Sequence, residues 1–356
     1  MFDYLLQILS NSEQTNGSDV HFSVGVPAGI RINGEMVFQG SDSLTPAHVR
    51  ELVHLVLGDQ LFTQYEIKGE ADCAVSFDNI GRFRVNAFRQ KGNAAMVMRR
   101  LNSYIPTPES LDLPPSVIEM AKLKNGLVLV TGPTGSGKST TLAALLGSIN
   151  SSRAEHIITL EDPIEYVHDH KRSIINQREI GKDTKSYADA LRYVLRQDPD
   201  VILIGEMRDK DSISVALTAA ETGHLVFSTL HTNGAPKTID RIIDTYQPEQ
   251  QQQIRAQMST ALKGVVSQRL IPKADGSGRV AVFEVMVMNH AISNLIREGK
   301  THQIGNVIQS GSKEGMISMD KALSDLTRQG IISFDNALDM CVEEEVFRRY
   351  AGAVIT

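Results

Sequence analysis

The run GPTGSGKST, residues 132–140, sets Gly132 and Gly137-Lys138-Ser139 at the spacing G-x-x-x-x-G-K-[ST]. Glycines at that spacing let a loop turn tightly enough for several backbone N–H groups to converge on one anion. A helix beginning there adds the positive end of its dipole. Gly132, Pro133, Thr134, Gly135, Ser136, Gly137, Lys138, Ser139 and Thr140 therefore form a candidate ATP-binding loop. Lys138 would meet the β- and γ-phosphates, and the Ser139 hydroxyl would be a Mg²⁺ ligand. Carboxylates beyond the loop could decide what happens to the phosphate. VILIGEMRD is an apolar strand ending in Glu206, a candidate for Mg²⁺, directly or through water. ITLEDPIEYVH ends another in Glu161 and Asp162, with Glu165 after Pro163. A carboxylate beside a γ-phosphate can orient an attacking water. Taken singly, such an acid is more often a helix cap or a solvated loop residue. HLVFSTLHTNGAP raises a further question, because His231 stands at the tip of a buried strand and His224 just before it. A lone imidazole there would ordinarily be a satisfied structural group.

Positioning these side chains requires strands that end together. Apolar runs at 127–130, 157–160, 201–204 and 225–227 read as buried strands. In YADALRYVL, the residues Tyr187, Ala190, Leu191, Val194 and Leu195 share one helical face. Alternation of short apolar strands with helices predicts an α/β region with a mostly parallel sheet covered on both faces, functional residues gathering past the C-terminal strand ends. The first hundred residues have a different texture. FDYLLQILSNSEQ reads as an amphipathic helix, and Asn33-Gly34 marks a hairpin. LTPAHVRELVHLVLG reads as a helix with Thr45 as N-cap, Pro46 at its first position and Gly58 after its end. CAVSF, GRFRVNAFRQ and AAMVMRRL read as strands, with turns at Asp78-Asn79 and Gly92-Asn93, so an α+β domain is expected. Four prolines between Pro106 and Pro115 suggest an extended linker. The expected division is 1–102, a linker over 103–116, and 117–356. In the last hundred residues PEQQQQIRAQMSTALKGVVSQRL and AISNLIREGKTHQIGNVIQSG read as helical, with a strand pair around RVAVFEVMVM.

The chain has 356 residues and a formal net charge of -6, with no general attraction to nucleic acid or anionic lipid. Cys73 and Cys341 have no paired spacing, against a zinc site or a disulfide framework. No run of 18 apolar residues occurs, so no transmembrane segment is expected, and the N-terminus lacks the basic region of a secretory leader.

GPTGSGKST, TLEDPIEYVH, DPDVILIGEMRD and AAETGHLVFSTLHTN, in that order, resemble the P-loop, aspartate box, acidic strand and histidine box of the type II/IV secretion ATPases of bacterial pili and type II secretion. The resemblance covers nearly the whole chain. It implies an N-terminal PAS-like α+β domain, a C-terminal RecA-like P-loop ATPase domain and a homohexameric ring that uses ATP and Mg²⁺. By that resemblance Glu165 is the general base, Glu206 organises Mg²⁺ and water, and His224 and His231 sense the γ-phosphate. Arginines of a neighbouring subunit complete the site in this family. Arg84 and Arg99 match best, with Arg82 and Arg100 as rivals. The chain's length and AISNLIREGK resemble the PilT-like retraction ATPases of twitching motility, although Ser293 stands where their signature has arginine. This implies a cytoplasmic protein, peripheral at the inner face of the cytoplasmic membrane and docked on the pilus platform protein. An assembly ATPase for pilus extension or type II secretion, a RecA-like nucleic-acid translocase and a regulatory nucleotide-binding module are the competing readings. No nucleic-acid partner is expected, because no Arg/Lys-rich loop with aromatics is present.

Overall fold

The computed structural model describes residues 1–101, 104–207 and 209–352, which form two compact units. One comprises Met1–Tyr104 with Pro163–Val167, the other Ile105–Asp162 with His168–Thr356. The expected boundary at residues 102 and 103 lies outside the described residues.

In the first unit, strands β1 (Asp19–Phe22), β2 (Ala28–Ile32), β3 (Glu35–Gln39), β4 (Glu70–Phe77), β5 (Gly81–Gln90) and β6 (Asn93–Leu101) form one antiparallel sheet, ordered β3-β2-β1-β6-β5-β4. Side chains alternate between its faces. Phe83, Val85 and Ala87 of β5 point at the helices Phe2–Gln14 and Pro46–Lys68, where Leu5, Leu9, Leu52 and Val53 complete an apolar core. Arg84 and Arg99 lie on the opposite face, directly across from one another. The Thr45 hydroxyl caps the second helix by accepting the His48 amide. Gly58, at φ 68°, breaks that helix as expected, but helical turns resume and run on to Lys68. Asn33 and Gly34 both adopt positive φ in the two-residue hairpin turn. The later hairpin turns one residue earlier than expected, on Lys91-Gly92, because these two take positive φ while Asn93 pairs with Gln90. The unit is a PAS-like α+β fold.

The second unit is built on β7 (Gly126–Thr131), β8 (His156–Glu161), β9 (Ile174–Glu179), β10 (Val201–Ile204), β11 (Leu225–Leu230), β12 (Leu262–Pro272) and β13 (Arg279–Val287), ordered β13-β12-β7-β11-β10-β8-β9. All neighbours run parallel except β12 and β13. Successive residues of β7 feed two different cores: Leu127 and Leu129 pack with Ile158, Ile202 and Ile239, whereas Val128 and Val130 pack with Leu142, Leu145 and Phe227. Both faces are thus covered by helices, which is why the central strands read as unbroken apolar runs. This is a RecA-like α/β sheet.

Three local expectations change. LKGVVSQRL is strand, not helix: the helix stops at Ala261 and β12 begins at Leu262. Val265 and Val266 suit a pleated sheet, and Gly264 admits Met120, whose methyl carbon lies 2.3 Å from where a β-carbon would stand. β9 was not anticipated, since IINQRE is mostly polar and takes an edge position. Within the proline-rich stretch, Glu109–Leu111 form a 3₁₀ turn and Pro115–Met120 a helix. Leu113 and Val117 there pack into the second unit's core.

Candidate active site

The parallel strands β7, β11, β10 and β8 end on one edge, and each tip carries a group of interest. Register fixes them: Thr131 pairs with Leu230, Ser228 with Ile204, and Ile204 with Leu160. Backbone bonds continue past the strands, from Gly132 N–H to the Leu230 carbonyl (3.3 Å) and from Gly205 N–H to the Leu160 carbonyl (2.8 Å). The Thr229 hydroxyl donates to the Gly205 carbonyl at 2.6 Å. Glu206 and His231 extend from this edge, and His231 Nε2 stands 3.2 Å from Glu206 Oε1. The imidazole at the strand tip is therefore placed against the carboxylate.

The P-loop leaves β7 and enters the helix Lys138–Ser152. Lys138 is nearly buried, and its ammonium donates to the carbonyls of Gly132 (2.8 Å) and Pro133 (3.0 Å). Thr134, Gly135 and Ser139 are exposed, while Ser136 is buried with its hydroxyl lacking a hydrogen-bond partner among the described residues. Gln268 of β12 braces the loop from behind. Its Oε1 accepts the Thr141 hydroxyl at 2.8 Å. A β-carbon on Gly132 would fall 2.2 Å from the Gln268 carbonyl oxygen, and one on Gly137 2.8 Å from its Nε2. These two positions need glycine for space as well as for their positive φ. The loop motif itself gave no signal for Gln268, which lies 127 positions from Thr141.

β8 ends in Glu161, whose Oε1 accepts the Thr159 hydroxyl (2.6 Å) and the Gln177 amide (3.1 Å). Gln177, on the unanticipated β9, also accepts the His168 N–H at 2.7 Å. One side chain thus pins the last residue before and the first residue after the Asp162–Val167 excursion. Burial, with the positive charge of Lys171, pulls the His168 imidazole down to about 4, so it is neutral near pH 7. Glu165 sits inside that excursion, in the segment Pro163–Val167 that belongs to the first unit. There Arg82 Nε donates to the Ile164 carbonyl at 3.1 Å.

The structure does not bring His224 to this edge. His224 precedes β11, and its carbonyl accepts the N–H of Gly126 at the start of β7. The six residues of β11 separate it from His231, seven steps or roughly 23 Å at the usual rise. Its Nδ1 lies 3.0 Å from the Ala219 carbonyl. Glycine-histidine spacing says nothing about which strand end a residue occupies. The four arginines also separate. Arg100 lies on the helix-covered side, donating to the Glu13 carbonyl and to Asn16. Arg99 Nε donates to Asp19 at 2.8 Å. Burial alone would raise the Asp19 carboxyl, but the Ser18 hydroxyl and the Arg99 guanidinium outweigh it and hold it below its usual range. The Arg84 side chain is exposed and makes no hydrogen bond or ion pair among the described residues. Arg84 stands directly across from Arg99, whose charge Asp19 already meets.

A glycine-rich anion loop on a helix N-terminus, an acid and an imidazole on neighbouring tips, and a RecA-like sheet together define a P-loop nucleotide-binding protein. Residues 74–339 match the type II/IV secretion system protein family model, and the chain belongs to that family. It is 44% identical to the type IV pilus retraction ATPase PilT of Pseudomonas aeruginosa, over 96% of this chain and 99% of that one. It is 46% identical to a twitching motility protein of Neisseria gonorrhoeae, over 92% and 88% of the respective chains. Among solved structures it is similar to the pilus retraction motor PilT with bound ADP, with a TM-score of 0.92, 44% identity, and coverage of 97% and 99%.

Proposed function

We propose that this protein is an ATP-hydrolysing motor that drives type IV pilus disassembly, working as a homohexamer on the cytoplasmic side of the inner-membrane platform protein. The observation that carries the reading is the 3.2 Å approach of His231 to Glu206 on the strand tips beside the P-loop strand. Similarity over nearly the whole chain to a pilus retraction ATPase and to a twitching motility protein supports pilus retraction over extension. Among the described residues no helix is long and apolar enough to cross a membrane.

The chemistry follows from the side chains. The P-loop amides receive the β- and γ-phosphates, and Lys138 exchanges its contacts with the Gly132 and Pro133 carbonyls for phosphoryl oxygens. Glu165 accepts a proton from a water whose oxygen bonds to the γ-phosphorus as the bond to the bridging oxygen breaks, releasing ADP and phosphate. Glu206 holds the water in line, and His231 shifts between this carboxylate and a phosphoryl oxygen, so the loop after β11 registers whether the γ-phosphate is present. Ser139 and Glu206 are hard oxygen donors that suit Mg²⁺, which when bound neutralises charge on the β- and γ-phosphoryl oxygens. Arg84 of a neighbouring subunit, with Arg99 beside it, stabilises charge developing on the transferred group. Deleting the gene in a piliated host tests the function. Long, non-retracting pili and lost surface motility are expected; absent pili would assign the protein to extension instead.

A further inference from the structure

β12 outruns its neighbour. Its Ser267 pairs with Thr131, the last residue of β7, and the strand then continues to Pro272. The chain of β7 turns away at that point into the P-loop, so the continuation of β12 walls the loop's first turn. The Gln268 carbonyl oxygen stands where it leaves no room for a β-carbon on Gly132.

Pleating sends successive side chains of β12 to opposite faces of the sheet. Val265 packs in the core that holds Ile239 of the helix Ala235–Ile243, and Val266 in the core that holds Leu142 and Leu145 of the helix behind the P-loop. The same alternation carries on to Ser267 and Gln268, both buried. Ser267 meets the loop after β11: its hydroxyl accepts the Gly234 N–H at 2.9 Å, three residues beyond His231. The next amide, that of Ala235, is held separately by Glu284 Oε1 at 2.8 Å, so Ser267 is one of two anchors there. Gln268 meets the phosphate loop. Its Oε1 accepts the buried Thr141 hydroxyl in the first turn of the helix, and its Nε2 abuts Gly137. Two neighbouring residues of one strand thus hold the P-loop and the histidine loop from opposite faces.

We infer that β12 is a common brace for the site, in which Gln268 is the positioning residue for the P-loop and Ser267 the positioning residue for His231. The Ser267 part rests on the proposed role of His231, whereas the Gln268 part requires only that the P-loop binds nucleotide. In the purified full-length protein the two neighbours are expected to give opposite kinetic signatures. Gln268→Met keeps the length of the side chain but leaves the Thr141 hydroxyl without its acceptor. It is expected to raise KM for ATP and Kd for ADP about tenfold, with kcat within about threefold. Ser267→Ala is expected to lower kcat about fivefold, with KM within about twofold. A general loss of stability would move both constants alike in both variants. Two double-mutant cycles tie each loss to its loop. Once Thr141→Val is present, adding Gln268→Met is expected to weaken ADP binding less than about twofold more. Once His231→Ala is present, adding Ser267→Ala is expected to lower kcat less than about 1.5-fold more. Fully multiplicative losses in either cycle, or the same split of kcat and KM in both single variants, would overturn the inference. If Gln268→Met does not fold, Thr141→Val removes the same hydrogen bond from its other end, and unchanged ADP affinity there would overturn it equally. Absence of ATP turnover in the unsubstituted protein would instead count against the proposed function, and the ADP titration would still judge the brace.

Discussion

The Glu206 carboxylate lies 3.2 Å from the His231 imidazole, and a γ-phosphoryl oxygen would compete with it for the same N–H. Under the proposed mechanism His231 has a role distinct from binding, reading the phosphate that Lys138 and the loop amides would hold. His231→Ala is therefore expected to lower kcat about tenfold to a hundredfold with KM for ATP moving less than about threefold. His224→Ala, at the far end of the same strand, is expected to stay within about twofold in kcat under the same assay. Steady-state phosphate release from the two variants separates them, and equal losses would undo the distinction between the strand ends.

Elements place these residues through contacts that no motif describes. Gln177 of β9 pins both ends of the segment that carries Glu165, so Gln177→Leu frees the segment without touching the P-loop. A fall in kcat of about tenfold with little change in nucleotide affinity is expected, measured by turnover and by titration with a fluorescent nucleotide. In the first unit, Asp19 binds its proton less readily folded than unfolded, because its carboxyl is held below the ordinary 3.8. The stabilisation it supplies is present above that value and is lost as pH falls through the lower folded one. Arg99 is largely exposed, so Asp19→Asn is expected to cost about 1 kcal/mol or less near pH 7 and less as the pH falls below 3.8, read by urea unfolding across that range. What the sequence made legible follows the same division. Unbroken apolar runs revealed β7, β8, β10 and β11, and a fixed glycine-lysine-serine spacing revealed the phosphate loop, because burial and tight turning each restrict composition. β9 and β12 were hidden. Their residues are polar or glycine-containing, and their identity as strands comes from neighbours far along the chain. Gln268 and Gln177 were invisible for the same reason, since a glutamine reveals nothing until its partners are in space.

At the scale of the whole molecule, the phosphate loop belongs to one unit and the exposed Arg84 to the other. An assembly in which one subunit's arginine serves another's nucleotide makes activity divisible between chains. Neither Lys138→Ala nor Arg84→Ala is expected to turn over ATP efficiently alone. Mixed in equal amounts, they are expected to recover about a quarter of normal activity, since half the sites keep Lys138 and half of those meet an intact Arg84. No recovery after verified subunit mixing would place Arg84 outside the catalytic arrangement. The central claim is that nucleotide held by the P-loop is split by groups on the neighbouring strand tips. It is tested most directly by multiple-turnover phosphate release from the full-length protein and from Glu206→Gln. The account predicts sustained turnover by the former and a loss of about a hundredfold or more in the latter, with nucleotide still bound. Equal rates in the two proteins would contradict it.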